Sequence, residues 1–198
     1  MRQLFALLPT SLLALSCAAA PAPTPAPPPA APAAQPVAAP ESPFLPTPFT
    51  AEQIRAACPA GRTLLYVVEQ PDKLPVRQRM RFLAVDDERA TYMSETLDEA
   101  DKLIGESQTK IVTWDALRKH GEFPKQTTTI ELGTAETPAG SFACKRYVVR
   151  EAFEQGERVR KLCFADALAG PPVEITVEQD GKLVSSMTLV SNVMPEPE

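Results

Sequence analysis

Thiols are the side chains in this chain best suited to chemistry, because the sequence contains four cysteines and a single histidine. Cys17 follows the apolar run 4–15, with only Ser16 between them. A thiol in that position can be converted into a lipid-bearing membrane anchor. The other three cysteines, Cys58, Cys144 and Cys163, can form one disulfide in an oxidising compartment, which leaves at least one thiol over.

Three pairings of these cysteines are possible. In a hairpin of the two strands that carry Cys144 and Cys163, a register that pairs Val148 with Val159 sets the two cysteines opposite each other, at a separation that suits a disulfide. A shift of two residues keeps the same faces and makes the cysteines diagonal neighbours. A bond from Cys58 to Cys144 would instead join the first helix to the sheet, and a bond from Cys58 to Cys163 is the third choice. We favour Cys144 with Cys163.

No group of residues has the pattern of a catalytic or metal site. His120 lies at the expected C-terminal end of a helix, where a cation interacts favourably with the helix dipole. One histidine and scattered cysteines do not make a usual zinc set, and Walker, Rossmann and Gly-x-Ser-x-Gly patterns are missing. The acidic runs 86–88 and 95–99 lack the EF-hand spacing. We therefore predict a protein that is not an enzyme and uses no cofactor or metal.

Residues 1–16 have the composition of an export signal, since Arg2 precedes about a dozen apolar residues, fewer than the roughly 20 that span a bilayer. Residues 13–17, with the sequence Leu-Ala-Leu-Ser-Cys, resemble the lipobox of bacterial lipoproteins. This resemblance implies a diacylglyceryl group on the Cys17 thiol and cleavage just before that residue. Because Ala18 follows in place of an aspartate, the resemblance also implies an outer-membrane location in the cell envelope.

Ordinary secretion, with cleavage after Ala20, is the alternative to lipidation. The small residues 18–20 satisfy the usual cleavage rule. Pro21 would follow that cut, however, and its fixed φ and missing N–H fit poorly into an extended protease substrate. We therefore favour lipidation of Cys17.

The composition of the chain divides it into a tether and one domain. Residues 17–48 are rich in proline and alanine and carry 12 of the 22 prolines, so we expect an extended, disordered linker. Residues 49–194 have the length of one globular domain, and 195–198 form an acidic tail. The formal net charge of −5 argues against nucleic acid as a partner.

Periodicity within the domain predicts two short helices and eight strands. Thr50 and Gln53 have the spacing of a capping box before residues 51–57, and Thr113 is a candidate N-cap for residues 114–120. The expected strands are 64–69, 76–82, 90–94, 127–132, 142–151, 158–165, 173–178 and 183–190. The fold class is mainly β (β-rich α+β), with one curved antiparallel sheet or incomplete barrel and two helices on its concave side.

This element order, together with the turn 137–142, resembles the half-barrel carriers and receptors of lipoproteins or lipids in the bacterial envelope. The resemblance implies an apolar ligand or lipid on the concave face of the sheet. Val173, Ile175 and Val177 share one face of a strand, and Trp114 lies on a helix above the sheet, so we predict these four as ligand-binding residues. Strands that line a filled core show the same alternation, so a protein-interaction or structural envelope protein is the alternative.

Overall fold

The structure is a computed structural model that describes residues 42–154 and 156–196. The export signal, Cys17 and most of the proposed tether lie outside the described residues. The helices are α1 (Ala51–Ala57) and α2 (Trp114–Lys119). The strands are β1 (Thr63–Glu69), β2 (Val76–Val85), β3 (Arg89–Leu97), β4 (Gln108–Thr113), β5 (Thr128–Thr137), β6 (Gly140–Phe153), β7 (Gly156–Ala165), β8 (Glu174–Gln179) and β9 (Lys182–Val193).

All nine strands belong to one antiparallel sheet with the order β4-β3-β2-β1-β9-β8-β7-β6-β5. Two meanders, β1 to β4 and β5 to β9, meet where the first strand pairs with the last. Strands β4 and β5 are the two edges of the described sheet, so it does not close into a barrel. The predicted fold class, one open antiparallel sheet with two short helices, is confirmed.

The strand β4 is the element that sequence periodicity did not predict. Its side chains are mostly exposed, and only Val112 is half-buried. An edge strand with little burial carries no apolar alternation that would identify it. The sheet therefore has nine strands where the sequence predicted eight.

Both helices begin at the residues that the sequence indicated. The Thr50 side chain accepts a hydrogen bond from the Gln53 backbone N–H at 3.2 Å, and the Gln53 side chain accepts one from the Thr50 N–H at 2.8 Å. Thr113 accepts a hydrogen bond from the Ala116 N–H at 3.2 Å. Such caps contribute about 1 kcal/mol each to helix stability. No helix in the described ranges is long and apolar enough to cross a bilayer.

The segment that precedes α1 contacts β6 and the segment before β5 ahead of its entry into the helix. Leu45 donates its N–H to the Phe123 carbonyl at 2.9 Å, and the Tyr147 hydroxyl donates to the Pro46 carbonyl at 2.9 Å. Contacts with the domain therefore begin several residues before the boundary at 49 that composition suggested. Prolines flank Phe44 and Leu45, which gives the segment the composition of a linker. These contacts could therefore not be predicted from the sequence.

Aromatic rings pack where this entering segment meets β6 and β7. The Phe49 and Phe164 ring centroids lie 6.3 Å apart, those of Tyr147 and Phe164 lie 5.5 Å apart, and those of Phe123 and Tyr147 lie 5.1 Å apart. Such pairs add about 0.5–1.5 kcal/mol each beyond burial alone. They fix the start of α1 above the sheet, and with it one wall of the site described next.

Candidate functional site

A cavity of about 280 Å³ lies between the two helices and the sheet. Its walls come from the entering segment, both helices, four strands and the loop that joins β7 to β8. Nearly all the lining side chains are apolar, and the charged or polar exceptions are few. The lining residues are Pro48, Phe49, Ile54, Cys58, Met80, Phe82, Tyr92, Leu117, Arg118, His120, Gly121, Leu162, Phe164, Gly170, Pro171, Pro172 and Ile175.

Of the four residues predicted to bind a ligand, Ile175 lines this cavity. Trp114 is 3% exposed, and its indole N–H donates to the Asp86 carbonyl at 2.9 Å, which holds the ring away from the cavity. Val173 is fully buried in the core, and Val177 lies farther along β8, where it is half-buried. Val173 precedes β8, and of the three alternating side chains only that of Ile175 lines the cavity.

The cavity extends along α1. Pro48 and Phe49 precede the helix, Ile54 lies within it, and Cys58 follows it. A helix of seven residues is about 10 Å long. We call the wall formed by Pro48, Arg118, His120 and Gly121 the Arg118 end of the cavity, and the wall formed by Cys58 and Gly170 the Cys58 end.

The charge at the Arg118 end is compensated. Arg118 contacts Asp115 at 2.8 Å through Nη2 and Glu122 at 2.9 Å through Nη1. Asp115 also contacts the Lys119 ammonium at 2.8 Å. Hydrogen bonds from Lys119 and then from Arg118 lower the pKa of the Asp115 carboxyl. This end of the cavity is therefore part of a surface ion-pair network in which both signs of charge are present.

The Cys58 end of the cavity is backed by a buried arginine. Arg62 is 1% exposed. Its Nε donates to Asn192 Oδ1 at 2.8 Å, and its Nη1 donates to the Ala57 carbonyl at 2.8 Å, to the Cys58 sulfur at 3.0 Å and to the Ala169 carbonyl at 3.1 Å. Its Nη2 is buried and has no hydrogen-bond partner among the described residues. One guanidinium thus joins α1, β9 and the β7–β8 loop.

All four acceptors around Arg62 are neutral groups. None of the salt bridges among the described residues includes Arg62. Burial raises the pKa of the Cys58 thiol, and the nearby Arg62 offsets only part of that increase. The thiol is therefore protonated at neutral pH and supplies no negative charge. Since arginine keeps its proton in proteins, a buried positive charge has no counter-ion within residues 42–154 and 156–196.

Gly170 lies against this guanidinium. A Cβ atom placed on Gly170 would lie 3.5 Å from Arg62 Nη1 and 3.6 Å from the Cys58 sulfur. The φ of Gly170 is +131°, a value that side-chain-bearing residues rarely adopt. Arg62 itself is not among the lining residues, so its guanidinium lies behind the wall that Cys58 and Gly170 form. Sequence reasoning missed Arg62, since an arginine between Gly61 and a strand is ordinarily exposed.

The structure joins Cys144 to Cys163 in a disulfide, with a Cα–Cα distance of 5.7 Å, and leaves Cys58 as a buried free thiol. The preferred register of this hairpin was wrong, because Val148 pairs with Lys161. The alternative, shifted by two residues, is the one observed, and it makes the cysteines diagonal neighbours on one face. Diagonal positions still allow the bond, so the pairing did not depend on the register.

Among the described residues, no group of acidic, histidine and cysteine side chains could hold a metal ion.

Comparisons with solved structures find distant likenesses. A protein described as exported, with a YmcC-like fold, from Bacteroides fragilis is 10% identical, with a TM-score of 0.46 over 69% of this chain and 97% of that one. A protein described as a lipoprotein from Parabacteroides distasonis is 9% identical, with a TM-score of 0.46 and the same two coverages. MucB in complex with MucA(peri) is 14% identical, with a TM-score of 0.48 over 74% of this chain and 54% of MucB. No family model and no curated protein matches this chain.

Proposed function

We propose that this protein is a lipid-anchored, non-catalytic protein of the bacterial cell envelope that holds an apolar ligand in the cavity of its β domain. The anchor is the lipid on Cys17, in the outer membrane, and the proline-rich segment is the tether. The observation that carries the binding function is the cavity of about 280 Å³ lined almost entirely by apolar side chains. Ligand sites in proteins are usually apolar concavities with a small number of placed polar groups.

The size of the cavity suits one hydrocarbon chain. An engineered apolar cavity of about 150 Å³ holds a benzene molecule, so this one is roughly twice as large. At about 30 Å³ for a unit the size of a water molecule, the space accommodates roughly nine such units. Each buried methylene contributes about 0.8 kcal/mol to binding. Decanoate, whose tail has nine carbons beyond the carboxyl carbon, is therefore a suitable probe of the site.

Binding is tested with the full chain in which Cys17 is replaced by serine, purified from the periplasm so that the disulfide forms. We expect native mass spectrometry to show a co-purified ligand, and titration calorimetry to show saturable binding of decanoate once that ligand is removed. Ile175→Trp fills the cavity and should abolish binding. Val177→Trp is the matched control, since it introduces the same side chain on the same strand outside the cavity.

Equal binding by these two tryptophan variants would show that the ligand lies elsewhere. The anchor is tested separately by fractionating cells that express the unsubstituted chain and the Cys17→Ser variant. We expect serine at this position to move the protein from the membrane to the soluble periplasmic fraction. Mass spectrometry that finds an unmodified mature chain beginning at Pro21 would contradict lipidation.

A protein-interaction role is the second candidate, and the edge strand β5 favours it. Leu132 is 84% exposed and Ile130 is 41% exposed on this strand. An unpaired strand edge can add a strand from a partner, and exposed apolar side chains provide contact area for it. If decanoate and co-purified ligand are both absent from the cavity, this edge becomes the preferred functional surface.

A further inference from the structure

We propose that strand β5 pairs with β5 of a second copy of this chain, so that two sheets join edge to edge in an antiparallel dimer. The proposal rests on the second candidate function, in which β5 is the interaction surface, and it does not depend on a ligand in the cavity. A two-fold axis then passes beside Leu132, because both copies contribute the same surface to such a contact.

Strand β5 lacks the features that keep an edge strand from pairing with another chain. Those features are short length, lysine, proline and β-bulges. β5 has ten residues without lysine or proline, and its register with β6 is continuous. At the other edge of the described sheet, β4 has six residues and contains Lys110. The two edges therefore differ, and β5 is the one suited to pairing.

The backbone of β5 offers hydrogen-bonding groups along this edge. The Arg150 N–H donates to the Thr127 carbonyl at 2.8 Å, which makes these two residues a hydrogen-bonded pair of the ladder with β6. By alternation, the odd-numbered residues of β5 direct their N–H and C=O groups toward β6, and the even-numbered residues direct theirs outward. Ile130, Leu132 and Thr134 therefore present backbone groups to a second strand.

A second β5 uses the same outward groups. When Leu132 lies opposite the Leu132 of the other copy, hydrogen-bonded pairs form at Leu132–Leu132 and at Ile130–Thr134. Leu132 is 84% exposed and Ile130 is 41% exposed. Both lie on the helix-bearing face of the sheet, because Ile130 is opposite Tyr147, whose hydroxyl reaches the segment that precedes α1. The contact therefore shields the two Leu132 side chains from water.

The face away from the helices supplies charge complementarity. In the register centred on Leu132, Glu131 of each copy lies across from Gly133 of the other. Gly133 has no side chain, and Arg146 lies over it, with Nη1 3.4 Å from the position of a Cβ atom. Arg146 Nη2 also approaches the Thr134 carbonyl at this edge, at 3.5 Å. A positive charge therefore lies where the carboxylate of the other copy arrives.

Glu131 is available for this contact. None of the ion pairs in the described part of the chain includes it. Arg146 has one carboxylate contact within its own chain, to Glu174 at 3.6 Å. Across the dimer, Glu131 and Gly133 form a non-hydrogen-bonded pair, whose Cα atoms are about 4.5 Å apart. At that separation the glutamate side chain reaches the guanidinium.

The charges select one register. A two-fold axis beside Glu131 would place the two Glu131 carboxylates opposite each other, which is destabilising. An axis beside Gly133 would place Glu131 across from Ala135, away from the guanidinium. The axis beside Leu132 pairs opposite charges on one face and brings the two leucines together on the other.

Disulfide trapping tests this register in the full chain with Cys17→Ser, purified from the periplasm. In Leu132→Cys the two new cysteines form a hydrogen-bonded pair, whose Cα atoms are about 5.5 Å apart, as a disulfide requires. In the control Ile130→Cys each new cysteine is opposite Thr134, so the two thiols are offset by four residues, about 13 Å. We expect mild oxidation to link most Leu132→Cys chains into dimers on a non-reducing gel and to leave Ile130→Cys monomeric.

Sedimentation equilibrium tests the ion pairs in the chain that carries Cys17→Ser and has β5 unchanged. We expect a monomer–dimer equilibrium. Glu131→Gln should weaken association about tenfold, because the symmetric dimer loses two ion pairs. Glu99→Gln removes the same charge from an exposed position in the loop between β3 and β4, at the other edge of the sheet, and should leave association unchanged.

The possible outcomes separate this proposal from the cavity function. A chain that stays monomeric at every concentration, or equal trapping of the two cysteine variants, would overturn the β5 dimer. Oligomers that keep growing with concentration would show pairing of β5 with β4 of another copy, and would also overturn it. A monomeric chain that binds decanoate would retain the cavity function alone. A dimer trapped through Leu132→Cys that binds no decanoate would support the β5 contact and overturn the cavity function.

Discussion

The two ends of the cavity place the same residue type in opposite electrostatic settings. The side chain of Arg118 is 28% exposed and lies between two carboxylates, whereas Arg62 is 1% exposed and donates to four neutral acceptors among the described residues. Solvent and opposite charges already satisfy the first guanidinium, so a ligand gains little by meeting it. The second guanidinium has no carboxylate partner among the described residues, so its positive charge stays buried among neutral groups. The difference shows that burial and pairing, rather than the mere presence of a charge near a cavity, decide how an arginine affects folding stability.

The largest expected difference between Arg62 and Arg118 is in their contribution to folding stability without ligand. Arg62→Gln removes hydrogen bonds from a charged donor, each worth about 1.5–3 kcal/mol, and the relief of buried charge offsets part of the loss. We expect a net loss of about 3 kcal/mol in the free energy of unfolding. Arg118→Gln should lower stability far less, because solvent-exposed ion pairs contribute little.

Urea unfolding of the parent chain and both glutamine variants measures this difference, provided that the slope of free energy against urea is the same for all three. Equal losses for Arg62→Gln and Arg118→Gln would contradict the distinction between the two ends. An Arg62→Gln variant as stable as the parent would show that the hydrogen bonds of Arg62 merely balance its burial.

A smaller effect is expected at alkaline pH, from the thiol beside Arg62. Burial raises the pKa of Cys58 above its ordinary value near 9, so the folded chain holds the proton at a pH where the unfolded chain releases it. The stability that the protonated thiol contributes is complete below the unfolded pKa and is lost as pH rises toward the folded pKa. The free energy of unfolding should therefore fall with pH above about 9, by up to about 1.4 kcal/mol per pH unit.

Cys58→Ser is the matched variant for this test, because its hydroxyl still accepts a hydrogen bond but does not titrate in this range. Unfolding in urea between pH 7.5 and 10 should show a steeper decline for the parent than for Cys58→Ser. Parallel declines would contradict the buried neutral thiol. A shallower decline for the parent would show that Cys58 ionises and already serves as the counter-ion of Arg62.

The sequence predicted the parts of the structure that local chemistry determines. Thr50 with Gln53, and Thr113, mark the helix starts because their hydrogen bonds close within a few residues. The register of β6 and β7 was less accessible, since a shift of two residues leaves every side chain on the same face. Alternation in the sequence shows which side chains share a face of the sheet. The register of two paired strands depends on contacts beyond the hairpin.

Most of the candidate site could not be predicted from the sequence, for a related reason. Ile175 could be predicted as a lining residue because it belongs to an alternating strand. The burial of Arg62 could not be predicted, because it depends on partners such as Ala169 and Asn192, more than 100 residues away in the chain. The cavity itself depends on how the β7–β8 loop and the helices enclose part of one sheet face. No local pattern encodes that enclosure.

The most direct test is whether a hydrocarbon chain occupies the cavity. Decanoate labelled with ¹³C is titrated into the full chain carrying Cys17→Ser, and its resonances are followed by NMR. We expect a saturable set of bound resonances that is lost in Ile175→Trp and kept in Val177→Trp, because only the first substitution fills the cavity. Bound resonances that persist equally in both variants would contradict the apolar site.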